Sequence, residues 1–249
     1  MTALPSNLYR YLLAGLMLLS CSGFAQVNDS IKYKKPVYFH LYDTPGCAGA
    51  KLSVGVGLNN FKSGIITEDG TDVMISAGGG VAAGIFFNTP LSKKWVLGNE
   101  INFHVAELLT PLQNATGMFT HFSYMPNIKH AILFPNKIMA ILPFAGPVIA
   151  FKGKYDLDAT KITNGARNIF YYKAGTGFSL GCEFMIWAKR RRIGGIAGLR
   201  YTGIKYSLKE ASSNGTKFTR DQVEKLLDKD ILDPKGNAID ATAAFIYLF

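Results

Sequence analysis

Residues 95–107 read WVLGNEINFHVAE. The odd positions are Trp95, Leu97, Asn99, Ile101, Phe103 and Val105, and the even ones are Val96, Gly98, Glu100, Asn102, His104 and Ala106. Successive side chains of a strand point to opposite sides. This segment therefore has one greasy side, with Asn99 the exception, and one side that is small or polar. It is about twice as long as the usual strand of a globular sheet, roughly 5 to 6 residues. Long alternating segments of this kind suit strands that cross an apolar layer with a polar interior behind them.

The same pattern recurs in both directions along the chain. Leu52, Val54, Val56 and Leu58 alternate with Ser53, Gly55, Gly57 and Asn59. A strand is expected over Val73 to Phe87, running through Gly78-Gly79-Gly80, and another over Phe170 to Trp187, whose odd side carries Lys173, Gly175, Gly177, Ser179, Gly181 and Glu183. Met118, Phe122, Tyr124 and Ile128 oppose His121, Ser123 and Asn127, and Leu199 and Tyr201 oppose Arg200 and Thr202. The segment Ile138 to Phe151 is apolar without clean alternation, and its sides stay unassigned. It is broken by Pro143, Gly146 and Pro147 and is too short for a spanning helix. A last strand is expected over Asn237 to Phe249. The linking segments are Ser63–Asp72, Asn88–Lys94, Leu109–Thr116, Ala131–Lys137, Lys152–Arg167, Ala188–Arg192 and Leu208–Gly236. Every second one is short. The expected fold is all-β: an eight-stranded antiparallel transmembrane β-barrel of up-and-down order.

Composition agrees with that class. The chain has 249 residues, 48% hydrophobic, 18% charged, with 26 glycines and a formal charge of +10. Such hydrophobicity excludes a disordered chain, and three cysteines are too sparse for a disulfide scaffold. Residues 1–25 read as a cleavable signal peptide: Arg10 is the sole charge, Tyr11 to Leu19 form a short apolar core, and Gly23-Phe24-Ala25 offers small residues at the cleavage site. A lipoprotein signal with Cys21 acylated remains open as the alternative. Export argues against nucleic-acid partners despite the basic balance. Residues 26–50 are expected to be a periplasmic lead-in, with a short strand at Pro36 to Tyr42, and residues 51–249 the barrel.

With a signal peptide, eight alternating segments and a terminal Phe245-Ile246-Tyr247-Leu248-Phe249, the chain resembles the small outer-membrane β-barrel proteins (OmpA/OmpX-like) of Bacteroidetes-type Gram-negative bacteria. The resemblance implies that Phe245, Tyr247 and Phe249 form the signal read by the barrel-assembly machinery, that outer-membrane lipids surround the barrel, and that the protein is integral to the outer membrane. The class includes adhesins, anchors and accessory subunits, so fold alone does not name the function.

The expected lumen set is Glu100, Asn102, His104, His121, Lys173, Glu183, Arg200 and Asp240. Buried charges of both signs should pair, and Glu100 with Arg200 is the pair expected at mid-height. His104 and His121 supply only two of the three or four ligands a metal needs. Ser123 with His121 is the one nearby nucleophile–base pair, and no nucleophile elbow or phosphate loop is present. Asp228, Asp230 and Asp233 lack the glycine and terminal glutamate of a calcium loop. No catalytic residue, metal or cofactor is expected, and Cys47 and Cys182 are expected as free thiols. In the longest link, Thr219 and Gln222 form a capping-box pattern followed by Val223, Leu226 and Leu227, an apolar stripe that needs a cover.

The leading functional expectation is a non-enzymatic structural or interaction protein whose loop 208–236 contacts a partner. An accessory subunit of a secretion or assembly machine, a lipid-modifying enzyme and a narrow channel follow. The charge is expected to concentrate on the short-turn rim as Lys93, Lys94, Lys129, Lys137, Lys189, Arg190, Arg191 and Arg192, a basic collar for anionic headgroups or an acidic periplasmic partner.

Overall fold

The structure, a computed structural model, describes residues 44–109, 112–135, 138–162, 165–188 and 192–249. The expected signal peptide with Cys21, the stretch Pro36 to Tyr42, and Lys137, Lys189, Arg190 and Arg191 lie outside the described residues. The elements in chain order are β1 (Cys47–Gly57), β2 (Asn60–Ile66), β3 (Asp72–Ser76), β4 (Gly80–Pro90), β5 (Trp95–Glu107), β6 (Thr116–His130), β7 (Ile132–Leu133), β8 (Met139–Asp158), β9 (Arg167–Tyr172), β10 (Gly175–Ala188), β11 (Ile193–Lys205), β12 (Leu208–Ser213) and β13 (Thr216–Thr219). Two single-turn helices follow, α1 (Arg220–Val223) and α2 (Lys229–Leu232), and β14 (Ala238–Leu248) is last.

Eight strands close into a barrel in the order β1-β4-β5-β6-β8-β10-β11-β14 and back to β1, every pair antiparallel. From Lys51 the pairing runs through Gly84, Asn102 and Ser123 to Ala150 of β8. In the other direction it runs through Ala244, Ile196 and Met185 to Ala140 of the same strand. The two routes reach β8 ten residues apart, so the wall is sheared and its strands tilt by roughly 40°. The connections β4–β5, β6–β8 and β10–β11 sit at one rim, and the longer ones sit at the other.

Glycines on the inner side of the wall lie beside large polar residues. Gly55 pairs with Asp240, Gly84 with Asn102, Gly98 with Asn127 and Gly198 with Glu183. A Cβ at Gly55 would overlap Asp240 Oδ1, and one at Gly84 would overlap Asn102 Oδ1. At Gly98 a Cβ would overlap Asn127 Oδ1 and stand 2.7 Å from Lys129 Cε. A narrow barrel has room for a long polar side chain only where its neighbour has none.

The first barrel strand begins at Cys47, four residues before the expected boundary, and Cys47 is buried inside the wall. Val73 to Phe87 is not one strand. Its first part is β3, paired with β2 in a hairpin that takes in most of the expected Ser63–Asp72 loop. Gly78 to Gly80 forms the corner into β4 rather than strand interior, with Gly79 and Gly80 at φ of 76° and 81°, where a side chain is disfavoured. Phe170 to Trp187 divides at Lys173 and Ala174 into β9 and β10. Phe170 and Tyr172 are buried, whereas Phe178, Leu180, Phe184 and Ile186 face outward.

Strand β8 runs on to Asp158, so the expected Lys152–Arg167 loop shrinks to its second half. Ala140, Leu142, Phe144, Val148 and Ala150 point inward up to Lys152, whose φ is 56°. Beyond this bulge the odd residues Tyr155 and Leu157 point inward. Both sides of residues 138–151 are apolar, which is why alternation alone gave them no orientation.

The long link after β11 is a cap rather than a free loop. Strand β12 pairs with β9 and β13, and β9 pairs with the upper part of β8. Phe61, Ile75, Tyr155, Leu157, Phe170, Tyr172, Leu208, Val223, Ile231 and Leu232 form its core, continuous with Phe119, Ile204 and Tyr206 in the barrel. The Thr219–Gln222 capping box opens α1. Val223 is buried and Leu227 packs beside it, but Leu226 is 82% exposed, so the expected stripe is covered only in part.

Gly84→Leu is expected to destabilise the fold by about 1–3 kcal/mol or block closure, because Asn102 has nowhere to move. Gly195→Ala, whose added Cβ would lie 3.6 Å from its nearest neighbour, Ala244 O, is expected to be nearly neutral. Thermal unfolding followed by circular dichroism separates the two.

Candidate functional site: a sealed ionic network

Among the described residues, the charged side chains buried inside the barrel are Lys51, Lys129 and Arg200 against Glu100, Glu183 and Asp240. Strands β1, β5, β6, β10, β11 and β14 each contribute one. Lys51 Nζ donates to Glu100 Oε1 at 2.9 Å and to Glu183 Oε1 at 2.7 Å. Lys129 Nζ donates to Glu183 Oε2 at 2.6 Å and stands 3.7 Å from Glu100 Oε1. The expected Glu100–Arg200 pair is present, with Nη1 donating to Oε2 at 3.0 Å. Arg200 Nε lies 3.6 Å from Asp240 Oδ2. Asn127 Nδ2 donates to Glu100 Oε1 at 3.4 Å, and Asn102 Nδ2 contacts Met125 Sδ. The formal charges of this group cancel.

Apolar clusters lie beyond the network toward both ends. Toward the short-turn rim, Cys47, Phe86, Leu142, Met185, Trp187, Ile196, Ile246 and Leu248 fill the interior. Ile246 and Leu248 are therefore inward residues of β14, so that its inner side turns apolar toward this rim. Toward the cap, Phe119 stacks edge-on against Tyr206, with ring centroids 5.2 Å apart. Lys51 and Lys129 also lie over the faces of Phe86 and Phe144 at 5.2 and 5.5 Å.

His104 and His121 pair across β5 and β6, and their rings stack at 4.5 Å with 10° between planes. His104 Nε2 and both nitrogens of His121 make no hydrogen bond to the protein. Among the described residues no three His, Cys, Asp or Glu side chains converge as metal ligands. Ser123 and His121 are both buried inside the wall.

Two expected assignments change. Lys173 does not join the interior: it is exposed where β9 gives way to β10, because the break between these strands ends the alternation that placed it inside. Lys129 is not on the basic collar. Its side chain is fully buried and completes the network. Of the other collar residues that are described, Lys93 and Lys94 are exposed and Arg192 is half-buried. Lys51 was missed altogether, although it shares the inward parity of Ser53 and Gly55. Phe245, Tyr247 and Phe249 all face outward, and Phe249 stacks on Phe87 at 5.0 Å. The outward Asn99 is matched by Tyr124, whose hydroxyl donates to its Oδ1 at 2.7 Å. Cys47 lies inside the wall and Cys182 outside it, both as free thiols.

The cap has its own ionic clamp. Arg220 grips Asp233 with both terminal nitrogens, at 2.8 and 2.9 Å. That contact holds the Asp233 carboxyl below the usual carboxylate range. The capping-box helix α1 is thereby tied to the end of α2.

No protein-family model matches the chain, and no curated protein sequence matches it.

Glu183→Met is expected to destabilise the barrel by about 3–5 kcal/mol, since Lys129 loses its closest partner and Lys51 one of two. Adding Lys129→Met restores neutrality and should recover much of that loss, as read by denaturant unfolding of single and double variants. A carboxyl depressed in the folded state stabilises above its unfolded value, about 3.9, and this contribution fades as pH falls through the folded value. Amide protection in residues 220–233, measured relative to the intrinsic exchange rate at each pH, should therefore fall below about pH 4 in the native protein and show no such step in Asp233→Asn.

Proposed function

We propose that this chain is an integral barrel of a bacterial outer membrane, a structural or interaction protein without an enzymatic centre or open pore, which offers its cap to a partner. The carrying observation is the exterior. Leu52, Ile85, Phe103, Phe122, Ile149, Leu180, Leu199 and Ile239 are all exposed, one on each barrel strand around the full circumference. Water-soluble monomers rarely expose contiguous apolar patches beyond a few hundred Å². On β5 the outward residues run from Trp95 to Val105. At about 3.3 Å per residue and roughly 40° of tilt they span about 25 Å, the height of an outer-membrane apolar band. Trp95, Phe87, Tyr247 and Phe249 stand toward the short-turn rim, and Phe178 pairs with Tyr201 toward the other, as aromatic girdles do.

The interior supports the non-conducting part of this reading. A charge-balanced network lies between two apolar clusters among the described residues, and an eight-stranded barrel is only wide enough for its own side chains. On the cap, Leu226 is the most exposed large apolar side chain among the described residues. A second reading, an accessory subunit of a secretion or assembly machine held through the short-turn rim, draws on the exposed Lys93 and Lys94 in the β4–β5 turn.

The protein should float with lipid vesicles after alkaline carbonate washing and give no discrete conductance steps in a planar bilayer. Pelleting without lipid overturns the membrane reading, and stable steps overturn the closed barrel. Photo-crosslinkers at Leu226 and at Lys93 then separate the two contact surfaces: cap adducts support the first reading, and adducts at Lys93 alone support the second.

A further inference from the structure

Lys205 ends β11, and Lys235 lies just before β14. The two form an isolated antiparallel bridge. Tyr206 N–H donates to Pro234 O at 3.0 Å, and Gly236 N–H donates to Ile204 O at 2.8 Å. These bonds flank the lysines rather than join them, so Lys205 and Lys235 are a non-hydrogen-bonded pair. In that arrangement the Cα atoms approach to about 4.5 Å and the side chains are closest. Like charges placed directly opposite each other are destabilising.

Neither lysine has an ion-pair partner among the described residues, and both are exposed. Their backbone is held firmly. Ile204, Tyr206, Pro234 and Gly236 are buried on the opposite side, and Ile204 and Tyr206 belong to the core shared by barrel and cap. Directly below on the exterior are Tyr201, paired with Phe178 at 5.6 Å, and the exposed Leu199 and Ile239. Four residues separate Lys205 from Tyr201, or about 10 Å along the barrel axis. A pair of flexible cations thus stands one headgroup above an apolar, aromatic wall.

We infer that Lys205 and Lys235 form a docking site for the phosphate monoester headgroup of a membrane lipid in the leaflet on the cap side, whose acyl chains lie along Phe178, Tyr201, Leu199 and Ile239. One phosphate between two ammonium groups turns their repulsion into two charge-assisted hydrogen bonds. The acyl chains give the site an apolar requirement that a free anion does not meet. This inference rests on the membrane reading above.

The test uses the full-length protein, with vesicles of phosphatidylcholine alone or carrying a minor fraction of phosphatidic acid. Flotation with both kinds tests the membrane reading; failure to float removes that reading and this site together. Phosphatidic acid retained on the floated and detergent-extracted protein, measured by native mass spectrometry, tests the site. The wild-type protein should retain it, and the double variant Lys205→Gln, Lys235→Gln should bind it about thirtyfold more weakly. Lys205→Arg with Lys235→Arg should keep most of the binding, and millimolar inorganic phosphate should not displace the lipid. A barrel that floats but retains phosphatidic acid equally in the wild type and the Gln variant overturns the site. Full displacement by inorganic phosphate also overturns it, because the pair then binds any free anion.

Discussion

Among the described residues, three basic and three acidic side chains are enclosed by one wall and balance formally, as they must where each unpaired charge taken out of water has a desolvation penalty of several kcal/mol. Much else in the barrel follows from that requirement. Lys51 and Lys129 bridge the two glutamates, Arg200 spans Glu100 and Asp240, and no one pair accounts for the balance. Glycines such as Gly55 and Gly98 stand beside the polar groups because a β-carbon there would strike them. Apolar clusters lie toward both ends of the network, and a low-dielectric surrounding strengthens its attractions and makes any unmatched charge more costly.

The barrel was legible in the sequence wherever one side of a strand was polar. Residues 95–107 gave their orientation outright, and parity around Arg200 and Glu183 put both inside. Lys129 shares the parity of His121 and Ser123 but also lies next to a short turn, and the structure follows parity over nearness to the rim. Lys51 lies just before the alternating stretch Leu52 to Asn59 and continues its parity. Lys173 failed for the opposite reason. Parity holds only along an unbroken strand, and the break after Tyr172 resets it.

The cap was hardly legible. Its sheet joins the β8–β9 hairpin to β12, a segment some 35 residues beyond β9 that shares no local signature with it. The Thr219–Gln222 box and the apolar Val223 and Leu227 that follow it, all close in sequence, are its legible part. The bulge at Lys152 belongs to the illegible remainder. It exchanges the inward and outward sides of β8 midway, so a strand that is apolar throughout the barrel becomes the cap's main support.

The wall closes where β1 meets β14, with Cys47 opposite Leu248 and Gly55 opposite Asp240. The first and last barrel strands meet only after everything between them exists, so the pairing that ends the sheet has the largest sequence separation in the molecule. Contacts of that kind form late, since the entropy of a long loop is lost before any bond repays it. Until then two rows of bare amide and carbonyl groups stand open on either side of a curved sheet, able to join a neighbour's edge instead. The interval before this seam zips shut is therefore when self-association competes with completion.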